Sequence, residues 1–294
     1  MALTKFLCAL LLPGFFRSAA DAFQVASAPS TVDNARKSDR NHRYHHDFWR
    51  RERTHDEVKA HVASHLARID EQQGTKVGAA TIEVLSAEPP LVLVHDFLSA
   101  TMCRDIIDSA KQTGNMQGST IGNEKEANEN KNSRSSSTVW LEEADCQHPL
   151  RLIAEKVASI SGLPPSYMEN LQVVRYEPGQ EFKLHTDHMD YFNDLECRGR
   201  LATCLIYLSE PNLGGETYFP GMDGDDIVVS PTQGSAIFFW NTQEKPGSLD
   251  YEPNMFLHAD PRMVHAGLPV IDGEKWICNR WIHPIDFGKG VRGL

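Results

Sequence analysis

Beyond residue 171 the chain breaks into short apolar runs at 171–176, 201–208, 227–229, 236–240, 263–270 and 275–282, divided by glycine and proline. This texture constrains the fold more than any other feature. Strands joined by turns, with no helices alternating between them, cannot make the crossovers of a parallel sheet and must close as an antiparallel sandwich or barrel. The helices lie upstream. Phe48, Val58, Val62, Leu66 and Ile69 recur near helical spacing in 46–73. Ser99 is placed to cap a helix over 101–112, and another over 149–160 is ended by Gly162 and Pro164-Pro165. Two strands are expected at 81–85 and 91–94, on either side of Pro89-Pro90. The fold class is therefore α+β, an antiparallel β core with helices packed on its outside.

The polar stretch 114–137 is rich in Asn, Glu, Lys, Ser and Gly and has almost nothing to bury, so a mobile loop or lid is expected there. The chain carries 29 Lys and Arg against 40 Asp and Glu, a net charge of -11, which leaves no basic footprint for a nucleic acid partner. Six cysteines are too few for a disulfide scaffold. Cys204 and Cys278 sit in strand-like runs as core, and no disulfide is assigned.

Residues 6–16 are an unbroken apolar run of about 17 Å in helical form, short of a membrane span. Small residues follow, so 1–22 reads as a cleaved signal peptide, with an uncleaved anchor or a plastid signal before Phe23 as alternatives. The expected location is the secretory pathway, in the endoplasmic reticulum lumen. The C-terminus is no retention signal, so residence there needs a retention partner. Residues 23–79 read as a linker and N-terminal helix, 80–287 as the main domain and 288–294 as a tail.

The chain has no nucleophile elbow, no HExxH and no phosphate-binding P-loop, and the GxGxxG match at 288–293 has no helix to follow it. His61 and His65 share a helical face but lack a third ligand, so a solvated face is expected. The remaining chemistry is His-x-Asp, which sets an imidazole and a carboxylate on one side of a strand. With a distant second imidazole this makes the facial triad of non-haem iron(II) oxygenases. The tripeptide occurs four times, as His45/Asp47, His185/Asp187, His188/Asp190 and His258/Asp260. Context favours the second. The first lies in the polar N-terminal segment, and the last runs into the loop Pro261-Arg262.

Around His185 and Asp187 stand, in order, Tyr176-Glu-Pro-Gly-Gln, Gly214-Gly-Glu-Thr217, His265-Ala-Gly-Leu-Pro-Val and Gly273-Glu-Lys275-Trp. This ordered set resembles the catalytic domain of the prolyl 4-hydroxylases, 2-oxoglutarate- and iron(II)-dependent dioxygenases, over about residues 81–287. The resemblance implies a double-stranded β-helix, the cupin-like jelly roll. It implies His185, Asp187 and His265 as the Fe(II) ligands and Lys275 as the partner of the distal 2-oxoglutarate carboxylate. Tyr176, Thr217 and Trp281 would line that co-substrate's pocket. Arg200 and His283 match positions for peptide substrate, and suit structural roles equally. O2 is the oxidant, ascorbate the expected reductant and a proline-containing peptide the expected partner, with succinate and CO2 released. A lysyl or small-molecule hydroxylase and a non-catalytic binding module are the competing readings. Tyr191-Phe192 follow His188-Met-Asp190, a departure from the usual aromatic placement close after the His-x-Asp motif.

Strand parity gives a separate expectation. A two-residue turn at Asp272-Gly273 would turn His265 and Lys275 to opposite sides. A three-residue loop of Ile271, Asp272 and Gly273 pairs Pro269 with Lys275 and His265 with Asn279, so both share a face, with Gly273 left-handed. The same register turns Trp281 and His283 inward and asks for an edge or bulge at Pro269.

Overall fold

The computed structural model describes residues 48–49, 52–73, 81–119, 134–143, 145–188, 199–222, 224–243, 258–284 and 286–287. Helix α1 (His55–Gln72) starts at a capping box. The Thr54 hydroxyl accepts from the Glu57 amide, and the Glu57 carboxylate accepts from the Thr54 amide. β1 (Ile82–Ala87) and β2 (Pro90–Val94) form a hairpin. α2 (Ala100–Gln112) opens on the expected Ser99 cap, whose side chain accepts from the Met102 amide. β3 (Gln117–Gly118) and β4 (Ser137–Leu141) precede α3 (Gln147–Ser161), which ends where Gly162 turns left-handed.

The remaining strands are β5 (Leu171–Tyr176), β6 (Phe182–His185), β7 (Ala202–Tyr207), β8 (Leu213–Gly214), β9 (Thr217–Met222), β10 (Asp225–Val229), β11 (Ala236–Trp240), β12 (Thr242–Gln243), β13 (His258–Ala259), β14 (His265–Gly267), β15 (Val270–Asp272) and β16 (Lys275–Ile282). They make an eight-stranded sheet in the order β1-β2-β11-β7-β16-β5-β4-β3 and a four-stranded sheet in the order β10-β9-β14-β6. β12-β13 and β15-β8 are two-stranded ribbons.

Side-chain alternation divides the core in two. Val92, Val173, Cys204, Ile206, Phe238, Trp276 and Cys278 leave the large sheet on one face and pack against Val58, Val62 and Leu66 of α1, Ile106 of α2 and Ile153 and Val157 of α3. Their strand neighbours Leu91, Val174, Leu205, Tyr207, Phe239 and Ile277 leave on the other face and meet Phe219, Met222 and Val229 of the small sheet. Every residue of β16 is buried because both of its faces are covered, which is why these strands read as continuous apolar runs. The two sheets therefore face one another, as in the expected double-stranded β-helix, with the helices on the outside.

The expected hairpin does not form. Lys275 pairs with Tyr176 rather than Pro269, and Asn279 pairs with Gln172 and Leu205 rather than His265. His265 lies in the small sheet opposite His185, so the chain crosses between sheets from β14 to β16. The backbone of Val270 is already used, its amide donating to Gln180 and its carbonyl accepting from Gly179. Gly273 does take the left-handed conformation, but it turns the chain into the other sheet. His265 and Lys275 still share a side, because the interior between the sheets receives side chains from both.

Two smaller expectations also change. The 114–137 loop is partly sheet: β3 pairs with β4, Ser119 bonds Ser136 and Thr138, and Arg134 bridges to Phe182. The remainder, 120–133, lies outside the described residues. The face carrying His61 and His65 is not solvated: His65 is buried, and His61 stacks on Phe48 with Nε2 at 3.0 Å from the Ile160 carbonyl.

Candidate active site

β6 and β14 are neighbours in the small sheet, and His185 and His265 are direct cross-strand partners with ring centroids 4.3 Å apart. Asp187 follows two residues after His185. Its Oδ1 lies 3.5 Å from His185 Nε2 and 3.8 Å from His265 Nε2. Ligand atoms of the three residues lie within 4.8 Å of one another, and among the described residues no other group of His, Cys, Asp or Glu converges this way. His45, Asp47 and Asp190 of the other pairs lie outside the described residues, and Asp260 is occupied in an ion pair with Arg262.

Both imidazoles are set up as metal ligands. His185 Nδ1 lies 2.7 Å from the Lys183 carbonyl and His265 Nδ1 lies 2.9 Å from the Met263 carbonyl. A carbonyl can only accept, so each Nδ1 carries the proton and each Nε2 offers its lone pair to the cluster. Burial, joined by the neighbouring His185, brings His265 down to about 4, so the ring is neutral at pH 7. Burial alone would raise the Asp187 carboxyl. The neighbouring imidazoles of His185 and His265, with the charge of Arg200, outweigh it and hold the group far below the usual carboxylate range.

The other oxygen of Asp187 is fixed by the large sheet. Thr203 Oγ1 donates to Oδ2 at 2.8 Å and Trp281 Nε1 donates to it at 3.1 Å. Asn241 Nδ2 in turn donates to Thr203 Oγ1 at 2.8 Å, which leaves the Thr203 proton for the carboxylate. Oδ1 thus remains for a metal. Two neutral imidazoles and one carboxylate fit iron(II) and keep positions for further ligands.

Lys275 leads β16 into the same interior and is 2 % exposed. Among the described residues no carboxylate lies within ion-pair distance of its ammonium. Nζ sits 5.4 Å from the Tyr176 ring and 5.7 Å from the Tyr207 ring. Burial pulls the ammonium down to about 8, and Glu216 offsets this only in part. The Tyr207 hydroxyl donates to Thr217 Oγ1 at 2.7 Å, both residues being buried. Gly215 makes room for the lysine: at φ 79° an added Cβ would lie 3.1 Å from Lys275 Cδ. A buried cation beside two tyrosine rings, on the same interior as a three-ligand cluster, is a receptor for a small dianion that also reaches the metal.

Residues 171–283 match the family model of the 2OG-Fe(II) oxygenase superfamily. Prolyl 4-hydroxylase 1 of Arabidopsis thaliana is 35% identical over 220 residues, 70% of this chain and 73% of that one. The chain belongs to the prolyl 4-hydroxylase family of 2-oxoglutarate- and iron(II)-dependent oxygenases. The probable prolyl 4-hydroxylase 3 of the same plant is 33% identical over 227 residues, 71% of this chain and 74% of that one. Among solved structures, the viral collagen prolyl hydroxylase of Paramecium bursaria Chlorella virus-1 in its 2OG complex shares 29% identity at a TM-score of 0.50. That match covers 66% of this chain and 96% of the viral one.

In this member of the prolyl 4-hydroxylase family, Arg200 and His283 are tied to a residue that the sequence pattern left unmarked. Arg200 makes a two-pronged ion pair with Glu169, at 2.6 Å and 3.0 Å, and His283 Nε2 lies 2.8 Å from the same carboxylate. Burial would raise Glu169, but the charge of Arg200 and the bonds from His283 and Arg200 bring it down to about 2. The Arg200 guanidinium also sits 3.4 Å from the centre of the Trp281 ring, so this network backs the indole that holds Asp187. Thr203, Tyr207 and Asn241 were missed as well. The alternation of β7 marks Thr203 and Tyr207 as inward residues, whereas Glu169 and Asn241 lie outside strands and carry no such signal.

Proposed function

We propose that the protein hydroxylates prolyl residues of peptides or proteins. One oxygen atom of O2 enters the C–H bond and the other enters 2-oxoglutarate, which leaves as succinate and CO2. One observation carries the reading: an imidazole and carboxylate cluster shares an interior with a buried ammonium that has no carboxylate within ion-pair distance among the described residues. His185, Asp187 and His265 would hold iron(II), which supplies the electron transfer and dioxygen chemistry that side chains lack. Lys275 binds the distal carboxylate of 2-oxoglutarate, with Tyr176, Tyr207 and Thr217 around it. Thr203 and Trp281 fix the orientation of Asp187, and the two-sheet core excludes water from one side. Arg200 and His283 serve the peptide side through Trp281. Ascorbate serves as reductant for iron oxidised without substrate. The N-terminal apolar segment supports entry into the secretory pathway as a cleaved signal, with residence in the endoplasmic reticulum lumen through a retention partner.

The test is a panel of proline-rich peptides, lysyl peptides and small hydroxylatable molecules incubated with enzyme, iron(II), 2-oxoglutarate and ascorbate. The expected result is the gain of one oxygen on proline, matched mole for mole by succinate. Oxygen gain on lysine or on a small molecule alone would assign a different substrate. Succinate release independent of every substrate would remove the reading.

A further inference from the structure

Large apolar side chains left exposed among the described residues are Trp140, Leu184, Leu213, Val228 and Ile271, and Trp140 alone of these is aromatic. Its strand neighbours Val139 and Leu141 are buried in the core beneath the helices, so alternation sends Trp140 to the opposite face. There it stands beside its cross-strand partner Gln172, whose side chain accepts from Asn279. Asn279 shares the inward face of β16 with Lys275 and Trp281. The Trp140 and Trp281 rings are 5.8 Å apart and tilted by 46°. Trp281 itself is 3% exposed, with Arg200 over its ring and its N–H spent on Asp187, whereas Trp140 keeps 43% of its surface open. The site thus has an aromatic wall at the metal cluster and an open aromatic face one step further out.

We propose that Trp140 is a platform for a second proline of an extended substrate, one polyproline II turn from the proline that is hydroxylated. This rests on the prolyl hydroxylation proposed above. A polyproline II strand has three residues per turn and rises about 3.1 Å per residue, so residues three apart share a face at a spacing of about 9 Å. Trp140 stands one side chain out from the carboxylate, within reach of that spacing: its ring centre is 5.8 Å from that of Trp281, whose indole N–H lies 3.1 Å from Asp187 Oδ2. A flat indole face suits a pyrrolidine ring, and a preformed strand loses little entropy when it docks on an aromatic groove.

The experiment uses peptides with one target proline and either proline or alanine three residues before or after it. The full chain is compared with Trp140→Ala, Trp140→Phe and, as a control at another exposed apolar residue, Leu184→Ala. Wild type should favour proline at one of the two positions by about three- to tenfold in kcat/KM, carried by KM. Trp140→Ala should bring that ratio to about one, while Trp140→Phe and Leu184→Ala keep most of it. Because a ratio between two peptides is read, partial unfolding, which scales both alike, does not mimic the effect. Equal use of the proline and alanine peptides by wild type would overturn the platform while leaving prolyl hydroxylation intact. So would a Trp140→Ala variant with the wild-type ratio. Wild type that hydroxylates no prolyl peptide overturns the proposed function itself, and the platform with it.

Discussion

Lys275→Met separates two effects that the lysine sets against each other. The ammonium is buried, and burial, relieved in part by Glu216, brings it from 10.5 to about 8. At about 1.36 kcal/mol per decade, holding it charged at pH 7 costs the folded chain about 3 kcal/mol. Between about pH 8 and 10.5 the unfolded chain binds more protons than the folded one, so stability rises with pH through that window. The cost is full below pH 8 and absent above 10.5. Methionine keeps the apolar stem without the charge, so the variant without 2-oxoglutarate should melt several degrees above wild type at pH 7, and the gap should close near pH 10.5. Co-substrate reverses the order. Removing one partner of a buried ion pair costs about 3–5 kcal/mol, so KM for 2-oxoglutarate should rise at least tenfold. Added 2-oxoglutarate should raise the melting temperature of wild type and not of the variant. Thermal melts across pH, with and without 2-oxoglutarate, and succinate-release kinetics read both effects. An unchanged KM with an unchanged ligand-induced shift would refute the carboxylate-binding role, and a variant that melts below wild type at pH 7 would refute the burial cost.

Thr203→Val keeps the volume but removes the donor to Asp187 and strands the Asn241 amide. Affinity for iron(II), or for cobalt(II) as a probe, should fall about 10–100-fold by metal titration while circular dichroism is unchanged; unaltered affinity would dismiss the orienting role. Gly215→Ala places a methyl against Lys275 Cδ in a left-handed conformation. It should raise KM for 2-oxoglutarate severalfold and cost about 1 kcal/mol or more in urea melts. Glu169→Gln leaves the Arg200 guanidinium without its anion, at an expected cost of about 3–5 kcal/mol at pH 7. Because Glu169 is held near 2, its contribution is present above about pH 4.5 and is lost as pH falls towards 2. The gap between wild type and variant should therefore narrow on acidification, and urea midpoints that stay equally far apart at pH 7 and pH 2 would contradict the pair.

The local code was legible wherever a few neighbouring residues decide the outcome. Ser99 and Gly162 bound their helices because a cap needs only its own turn, and strands such as Leu171–Tyr176 and Lys275–Ile282 are written in their own side chains. Parity then put Lys275 and Trp281 on one inward face. The ordered motifs also singled out His185 and Asp187 among four identical tripeptides and supplied the partner His265. Their convergence follows from strand pairing. What failed was pairing over distance. A hairpin from His265 to Asn279 was the nearest available partnership, yet Lys275 bonds to Tyr176, 99 residues earlier, and His265 to His185. Nothing within a strand names its partner; that is settled only when two sheets compete to bury both faces of every strand at once. So the sequence by itself determined the chemistry on offer and the direction each strand side chain faces. The tertiary structure alone decided which sheet each strand joined, and with it the Thr203, Asn241, Tyr207 and Glu169 contacts, because these join residues far apart in the chain and arise only when packing is complete.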